Sequence, residues 1–386
     1  MMRFVMFGHN DWWVWERQGF CTRNAALARE LAGREVVSEL LVVDTPRYRG
    51  RTHRPAESRG DETTVVAPGI SAVRYGYPLP LPATWYPGRR LNERLTSAAL
   101  TRRLGAARAA GEATVLWVAD PRLVEAALAM PHDLFVFDAI DDWRQHPWAG
   151  HAAVSRGYEL VARHADVVFA VNPRLLEILQ PRGHAEVLYN AVDARPWAAA
   201  RPASELAGMQ RPLAGYAGMI QRRVDGPLLA GAARLLPHAG FALVGRVLPA
   251  YRRELGDLGP NVRFAGVRHH HEVPALIAAC DVGIVPHLRD ALTATMDPLK
   301  LYEYLAAGKP VVSTVASPNP ALAEVVQIVS GTEEFAAAIT AAAGDDDEER
   351  RTRRRGAIAG ETWGARADRV LAVLAGLLDP SGGGRR

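Results

Sequence analysis

Short apolar runs rich in valine, leucine and phenylalanine recur along the chain, separated by longer stretches in which apolar residues return every three or four positions. The short runs are typical of strands buried in a parallel sheet, and the longer stretches predict helices packed on one face. In the first half the predicted strands are 3–7, 36–43, 115–118, 134–137, 167–171 and 186–189, with a helix over 17–31 after the first. In the second half they are 213–217, 241–244, 262–264, 282–285, 310–313 and 325–329. This alternation predicts an α/β fold.

A segment rich in alanine, arginine and proline, residues 195–212, separates the two sets of strands. We therefore predict two Rossmann-like domains that face each other across a cleft, the first over 1–200 and the second over 201–360. The last segment, 361–386, begins with a helix over 361–378 and ends in a tail of glycine and arginine. Each domain is long enough to bury its own core.

The most informative stretch is MDPLKLYEYLAAGKPVVST, in the second half of the chain. Asp297 and Pro298 mark the start of a short helix, with Pro298 at its first position, and Gly308 ends the helix before an apolar strand. The free main-chain amides at the helix N-terminus, near Thr295 and Leu299, carry the positive end of the helix dipole. Such an end is suited to bind an anion.

Lys300 and Glu303 turn this anion site into a candidate nucleotide site. Lys300 adds a positive charge to the free amides of the first turn. Glu303 follows three residues later on the same face of the helix, so its carboxylate lies one turn from a bound phosphate. A ribose diol would bridge that gap.

Loops after other strands of the second half offer further phosphate contacts. Gly218 ends the first strand of this half, where the backbone must come close to a ligand. Arg222 and Arg223 follow it, and Arg246 comes after the next strand. Guanidinium groups stay charged and offer paired donors to phosphate oxygens. Asp225 begins the next helix, and we predict that it caps the helix N-terminus.

These motifs resemble the donor-nucleotide signature of GT-B glycosyltransferases, in particular the retaining group called glycosyltransferase family four. In that family a glutamate before a G-x-P-V-V strand binds the ribose, and Glu303 in EYLAAGKPVV matches it. The family's first glutamate, eight residues earlier, falls on Thr295 here, and Asp297 is a candidate to replace its contact with the sugar. The NAVD segment that begins at Asn190 is similar to the element that ends the first domain in the family.

The resemblance implies a function. It predicts a transferase that moves a sugar from a nucleoside diphosphate sugar to an acceptor hydroxyl, without a metal and with retention of the anomeric configuration. Lys300 and a loop arginine such as Arg222 would stabilise the leaving diphosphate. Main-chain groups near Val267 would contact the base, and the last helix would cross back to the first domain.

The first half should then supply the acceptor site. After its first strand come His9, Asp11, Trp12 and Trp13, at the edge of the sheet where ligands bind in doubly wound folds. Indole faces suit a sugar ring or another flat acceptor, and Asp11 would bind its hydroxyls. That both tryptophans pack beneath the loop is an equal alternative.

A second candidate loop follows the strand over 134–137 and resembles a Y-D-x-x-D-D segment found in a subgroup of these transferases. It brings Asp141, Asp142 and His146 to the same edge. Asp142 or His146 is a candidate to position the acceptor hydroxyl, and would act as general base in an inverting reaction.

Composition and charge fit this picture. Apolar residues make up 48% of the chain and charged residues 23%, and no apolar run is long enough to span a membrane. The net charge of +4 suits anionic ligands, whereas the dispersed arginines and the lack of a recognition motif predict no nucleic-acid partner. The amino terminus lacks the pattern of a signal peptide, so a cytoplasmic location is expected. Exposed tryptophans on a basic protein would also suit peripheral contact with the inner face of a membrane.

Metal and disulfide chemistry are not expected. His269, His270 and His271 are adjacent, and successive residues of a regular element cannot all face one ion. Cys21 and Cys280 lie far apart within predicted elements, and we expect two buried thiols. The predicted partners are therefore a nucleotide-sugar donor and an acceptor, which is a glycan, a lipid-linked intermediate or another small molecule.

Two alternatives remain open at this level. A sugar-nucleotide 2-epimerase shares the two-domain architecture and needs no acceptor. A catalytically weak GT-B subunit that assists another transferase would explain the missing glutamate at Thr295. The sequence fixes neither the sugar nor the base.

Overall fold

The computed structural model describes residues 1–8, 10–19, 21–44, 62–74, 111–146 and 150–379, together with 47–48, 76–77, 79, 88, 91–92, 95 and 98–102. The chain divides into two compact units. Unit 1 comprises Met1–Leu188 and the C-terminal segment that begins at Arg366. Unit 2 is Tyr189–Ala365.

Unit 1 is built on a largely parallel sheet. Its described strands are Met2–Phe7 (β1), Val37–Val43 (β2), Arg47–Tyr48 (β3), Glu62–Ala67 (β4), Ile70–Arg74 (β5), Gly76–Tyr77 (β6), Ala113–Val118 (β7), Leu134–Ala139 (β8), Val167–Ala170 (β9) and His184–Val187 (β10). Eight of these strands form one sheet in the order β10, β9, β8, β7, β1, β2, β5, β4, and β3 pairs with β6 separately. In the central strand Val5 lies opposite Leu41 and Leu116, so apolar side chains align across the sheet. The six strands predicted for this half are confirmed.

The sequence-based prediction missed the hairpin of β4 and β5. These two strands pair antiparallel at the end of the sheet, and Gly69 between them has φ +72°. Edge strands expose one side to water, and Val65 of β4 is 76% exposed. A search for uniformly apolar runs therefore passes over such strands.

The described helices of unit 1 lie between these strands. They are Trp12–Gln18 (α1), Arg23–Ala32 (α2), Val124–Ala127 (α3), His151–His164 (α4) and Pro173–Leu179 (α5). The single helix predicted over 17–31 is wrong, because α1 ends at Gly19 in the left-handed conformation (φ 78°) and α2 starts afresh after Thr22. Glycine adopts that conformation without steric cost, so it ends one helix before the next begins.

Unit 2 repeats the architecture. Its strands are Leu213–Ala217 (β11), Gly240–Val244 (β12), Val262–Gly266 (β13), Val282–Val285 (β14), Val311–Ser313 (β15) and Val326–Ile328 (β16), parallel and in the order β13, β12, β11, β14, β15, β16. All six predicted strands are confirmed. Its helices are Ala194–Ala198 (α6), Gly226–Leu235 (α7), Pro249–Leu255 (α8), Val273–Ala278 (α9), Leu299–Ala306 (α10), Thr332–Gly344 (α11) and Glu348–Ala357 (α12). Asp225 caps α7 as predicted, since its side chain accepts from the amide of Leu228 at 2.9 Å.

The boundary between the units falls earlier than the sequence suggested. Residues 189–200 belong to unit 2 rather than to the first domain. Asn190 is hydrogen-bonded to Asp297, and the buried Trp197 packs against His270 with ring centroids 5.8 Å apart. The predicted linker over 195–212 is therefore partly helical and packed, because its apolar side chains find a core in unit 2.

The last helix, Trp363–Leu378 (α13), confirms the predicted helix with a start two residues later than expected. From Arg366 onwards it belongs to unit 1. Arg369 pairs with Glu186 of β10 at 2.6 Å, and Asp368 accepts from Arg34 at 2.8 Å. Within the described residues no helix is both long and apolar enough to cross a membrane.

The charged run over 345–355 is largely helical and contains a buried arginine. It includes α12, and Arg354 is 7% exposed. Its Nε donates to the carbonyl of Gly308 at 2.8 Å, just beyond the end of α10. Gly308 has φ +73° and ends that helix as predicted. The charged run thus contacts the C-terminal end of α10, the helix in the stretch that the sequence analysis found most informative.

Candidate functional site

Helix α10 begins at the carboxyl edge of the unit 2 sheet. Pro298 precedes it as the N-cap residue (φ −70°, ψ 112°) and is not the first helical residue, so the predicted start is one position too early. Leu299 is the first residue of the helix, and the N-cap residue Pro298 makes no side-chain hydrogen bond to the first turn. The turn before it is a short 3₁₀ helix, Thr293–Thr295, rather than an open loop. The helix N-terminus keeps main-chain donors available for an anion.

Lys300 occupies the first turn of α10. Its side chain is half-buried, its Nζ lies 5.3 Å from the centre of the Tyr216 ring, and it forms no ion pair within the described part of the chain. Burial and the nearby Arg223 lower the pKa of Lys300 to about 8, against the opposing charge of Glu303. Lys300 and Lys309 are the two lysines of the chain. A half-buried cation that has no counter-ion among the described residues is suited to bind a ligand anion.

Gly218 lies directly against this lysine. A Cβ added to Gly218 would stand 3.3 Å from Cε and 3.4 Å from Nζ of Lys300, and its φ of +147° disfavours other residues. The amide of Gly218 donates to Val244, and the amide of Gly245 donates to Gly266, both at 2.9 Å. The ends of β11, β12 and β13 are thus tied together by close main-chain contacts.

The structure brings one of the three candidate arginines to the lysine. Arg223 is half-buried, its Nη1 is 3.7 Å from the sulfur of Met296, and its charge depresses the pKa of Lys300. Arg222 and Arg246 are exposed. Arg223 is therefore a better candidate for the diphosphate than Arg222, to which the sequence analysis gave the catalytic place.

Glu303 lies one turn further along α10. Its Oε1 accepts a hydrogen bond from Nε2 of His270 at 3.0 Å, and both side chains are largely buried. Burial lowers the pKa of His270, but the hydrogen bond and charge of Glu303 outweigh this effect and raise it above its usual value. This partner of Glu303 was not foreseen, because it comes from a segment 33 residues away.

Asp297 and Thr295 are engaged inside the protein. Asp297 is 5% exposed, and its carboxylate accepts hydrogen bonds from the amide of Asn190 and the hydroxyls of Tyr302 and Ser317, at 2.7–2.8 Å. The hydroxyl of Thr295 donates to the carbonyl of Leu292 at 2.9 Å. Asp297 thus joins the NAVD segment to the start of α10, and its carboxylate has a positioning role.

Two further residues complete the surroundings. Val267, predicted to lie near the base, is 67% exposed and follows Gly266, whose φ is +77°. His287, which the sequence analysis did not consider, is 1% exposed, and neither ring nitrogen has a hydrogen-bond partner among the described residues. Burial, with Lys300 and Arg223 nearby, lowers the pKa of His287 and keeps the ring neutral.

The first comparison with known proteins concerns a segment of unit 2. Residues 211–345 match the family model described as glycosyl transferases group 1. The matched segment contains Gly218, Arg223, Lys300 and Glu303. This segment lies within unit 2.

A relative extends the comparison. A protein of Bacillus subtilis (strain 168), named as a putative teichuronic acid biosynthesis glycosyltransferase, TuaH, is 28% identical over 228 residues. This match covers 54% of the chain and 57% of TuaH, so the chain spans little more than half the length of this relative.

Solved structures match nearly the whole chain at low identity. Sucrose-phosphate synthase of Thermosynechococcus elongatus superimposes with a TM-score of 0.73 and 15% identity, covering 98% of this chain and 99% of that one. HepE of Anabaena, solved in complex with UDP and glucose, gives a TM-score of 0.68 and 16% identity, covering 97% and 100%. The predicted GT-B fold is confirmed, and the segment that matches the group 1 model lies in its second half.

In unit 1, the segment predicted as the first acceptor loop is mostly helical. Trp12 and Trp13 begin α1, so a loop is wrong for them, and His9 lies outside the described residues. Trp12 is 2% exposed and packs against Trp15, which fits the core-packing alternative. Trp13 is stacked under the guanidinium of Arg74 at 3.9 Å. Asp11 is buried, and its carbonyl accepts from the first turn of α1.

The second predicted loop holds its acidic side chains in different ways. Asp142 is 2% exposed and precedes the 3₁₀ helix Trp143–Gln145, where it accepts from Arg144 Nε at 2.9 Å and Nη2 at 3.0 Å. Burial raises the pKa of Asp142, but the hydrogen bonds from Arg144 and Gln145 outweigh it and hold the pKa below its usual value. A carboxylate so stabilised is a weak base. This geometry disfavours the sequence-based role of Asp142.

His146 and Asp141 form the remaining polar pair of this loop. Nε2 of His146 lies 3.6 Å from Oδ2 of Asp141, and both side chains are partly exposed. The ring also packs edge-on against Trp143, with centroids 6.0 Å apart. An imidazole oriented by a carboxylate and open to solvent is suited to bind a hydroxyl.

The carboxyl edge of the unit 1 sheet also contains acids that the sequence analysis overlooked. Asp138, at the end of β8, is fully buried and accepts from Arg23 and Asn24 at 2.9–3.1 Å. Asp120, after β7, pairs with Arg122. Within the described residues, no group of three or more His, Cys, Asp or Glu side chains is arranged to hold a metal.

Proposed function

We propose that this chain is a glycosyltransferase that moves a sugar from a nucleoside diphosphate sugar to an acceptor hydroxyl. The observation that carries the proposal is the placement of Lys300. It lies without an ion pair among the described residues at the N-terminus of α10, against Gly218 and one turn before Glu303. This spacing matches a diphosphate followed by a ribose.

The leaving group determines which residues carry the chemistry. When the bond between the sugar and the diphosphate breaks, negative charge grows on the diphosphate and must be neutralised. Lys300, Arg223 and the amides at the start of α10 are placed to do so. This set of positive groups suits a transferase that needs no metal, as the family resemblance implies, and retention of configuration belongs to the same proposal.

The acceptor proposal rests on the name of a relative and on a polar pair of unit 1. TuaH is named for teichuronic acid biosynthesis, which favours a glycan or a glycan precursor as acceptor. His146, held by Asp141, is the side chain of the described unit 1 loops that we propose to bind the acceptor hydroxyl. The oxygen of that hydroxyl forms the new glycosidic bond as its proton is released.

Calorimetric titration tests the donor half of the proposal. The protein is titrated with UDP, GDP and ADP and with their glucose conjugates, in the presence of a chelator. UDP comes first because HepE was solved with it. We expect binding in chelator and a loss of about tenfold or more in Glu303→Ala, since a hydrogen bond to a charged group is removed.

Glu333→Ala is the matched control. Glu333 is an exposed glutamate in the first turn of α11, so its removal should change affinity by less than about twofold. Absence of binding to every nucleotide would contradict the proposal, as would equal binding by Glu303→Ala.

Turnover separates the proposal from its two alternatives. Incubation of a bound sugar nucleotide without an acceptor should leave it unchanged, whereas conversion into an epimer would point to a 2-epimerase. Nucleotide binding without transfer to any glycan acceptor, and transfer only after a second protein is added, would point to an assisting subunit.

A further inference from the structure

Lys300 and Glu303 do not pair with each other, although their spacing on α10 would allow it. Oppositely charged side chains three residues apart lie on one face of a helix and commonly form an ion pair. Here Glu303 bonds to His270 at 3.0 Å, and Lys300 has no ion pair with any described residue. Glu303 is therefore paired with His270 and not with Lys300.

His270 is held firmly in place. It belongs to the short 3₁₀ helix His270–Glu272 that follows β13, and Glu272 closes the start of this turn by accepting from the amide of His269 at 2.8 Å. The His270 ring meets the buried Trp197 edge-on with centroids 5.8 Å apart. Its side chain is 28% exposed, so the imidazole is packed on one side and open on the other.

The pairing leaves one oxygen of the carboxylate in use and one available. His270 bonds to Oε1 of Glu303, and Oε2 has no partner among the residues that the structure describes. A ribose hydroxyl is a donor, and a carboxylate oxygen accepts from it. Glu303 can therefore accept from His270 and from a ribose at the same time.

We propose that His270 is a positioning residue of the donor site, which holds Glu303 toward the ribose and thereby leaves Lys300 available to the diphosphate. This inference rests on the proposed function. It assigns this role to one histidine of the adjacent three: His270 contacts Glu303, while His269 and His271 contact each other. No proton transfer is involved, because the imidazole N–H donates to the carboxylate throughout.

Removing the imidazole should therefore affect two contacts together. In His270→Phe a ring still packs against Trp197, but Glu303 loses its partner and turns to Lys300. The ribose then loses its acceptor and the diphosphate loses part of its cation. In His270→Gln an amide donor remains, so most of the effect should be absent.

The test measures the affinities of the full chain for UDP and for 2′-deoxy-UDP. The wild-type protein should prefer UDP. His270→Phe should bind UDP about tenfold more weakly and lose most of that preference, because a hydrogen bond to a charged group has been removed. His270→Gln should stay close to wild type, and so should His271→Phe, an exposed matched control, within about twofold.

A double-mutant cycle distinguishes positioning from a general structural effect. Once Glu303 is replaced by alanine, no carboxylate remains for His270 to hold or for Lys300 to capture. Adding His270→Phe to Glu303→Ala should therefore cost nothing further. A purely structural role of the ring would give the same loss in both backgrounds.

The outcomes separate the inference from the proposed function. If UDP binds and Glu303→Ala weakens it, but His270→Phe binds as wild type or its effect adds fully to that of Glu303→Ala, the inference is overturned and the donor site stands. If the wild-type protein binds no nucleoside diphosphate, both are overturned. If His270→Phe does not fold, His270→Gln decides: UDP affinity within about twofold of wild type supports the inference, and a loss of about tenfold that recurs in the Glu303→Ala background overturns it.

Discussion

The carboxyl edges of the two sheets differ in whether their charged side chains have an oppositely charged partner. In unit 1 two buried acids have arginine partners: Asp138 is paired with Arg23 at 3.0 Å and Asp142 with Arg144 at 2.9 Å. In unit 2 Lys300 lies half-buried without an ion pair among the described residues, and the nearby Arg223 adds to its charge. Among the described residues, these two acids of unit 1 are thus paired, whereas Lys300 of unit 2 is not.

This difference explains why the sequence predicts the donor site of unit 2 more readily than the acceptor site of unit 1. A phosphate site needs positive charge and free amides, which a lysine, a helix start and close glycines provide in any protein. An edge whose charges are already paired offers no such signature. Its specificity must come from the shape of the surface and from a few groups such as His146.

The largest effect is expected where the internal pairing of unit 1 is broken. Asp138→Ala leaves Arg23 buried without its carboxylate, and we expect a loss of about 3–5 kcal/mol in the free energy of unfolding. Chemical denaturation measures it, with the exposed Asp368→Ala as control, for which about 1 kcal/mol or less is expected. UDP affinity of the folded fraction should not change. A small loss in Asp138→Ala would mean that the pairing in unit 1 is not structural.

The second-largest effect is expected when the positive charge of Lys300 in unit 2 is removed. Lys300→Met should reduce turnover about 100-fold and weaken UDP binding, because the departing diphosphate loses its nearest ammonium group. Lys309→Met is the matched control: Lys309 donates to the carbonyl of Ala278 and has no place in the donor site. Steady-state kinetics with a sugar nucleotide, alongside calorimetry, gives both quantities. Equal losses in the two variants would contradict the assignment of Lys300.

The two adjacent arginines sharpen the comparison further. Arg223 lies beside Met296 and lowers the pKa of Lys300, whereas Arg222 is exposed. Arg223→Met should weaken UDP binding about tenfold, and Arg222→Met by less than about twofold. Titration of both variants at one salt concentration decides between them. The reverse order would restore the role that the sequence analysis gave to Arg222.

The smallest effect is a dependence on pH. The pKa of Lys300 is about 8, so above that pH the free protein loses the ammonium and must take up a proton to bind a diphosphate. UDP affinity should fall about fourfold between pH 7 and pH 8.5. Calorimetry in buffers of different ionisation enthalpy reports the proton uptake. Lys300→Arg should abolish the slope and His270→Gln should retain it; a slope that persists in Lys300→Arg would assign it to another group.

Much of the fold could be predicted from local pattern. The strands of both parallel sheets are apolar enough to be recognised, and the start and end of α10 follow from proline and glycine. The hairpin of β4 and β5 was missed because an edge strand mixes exposed and buried positions. The helix over 17–31 was wrong because Gly19 interrupts a pattern that otherwise continues.

The candidate site shows the same limit at the level of single side chains. Spacing along α10 placed Lys300 and Glu303 together, but it could not reveal that Glu303 would bond to His270 from a distant segment. Nor could it tell which of two adjacent arginines lies beside the lysine, since neighbours in a loop differ only in direction. The role of Asp142 depended on Arg144, two residues away, whose side chain turns back onto the carboxylate.

The central claim is that unit 2 binds the nucleotide through Lys300 and Glu303, and a crystal structure of the protein with UDP tests it most directly. We expect a diphosphate oxygen within hydrogen-bond distance of Lys300 Nζ, about 3 Å. A ribose hydroxyl should lie at Oε2 of Glu303, with His270 still on Oε1. A nucleotide bound elsewhere, or a diphosphate that contacts neither Lys300 nor the amides at the start of α10, would contradict the account.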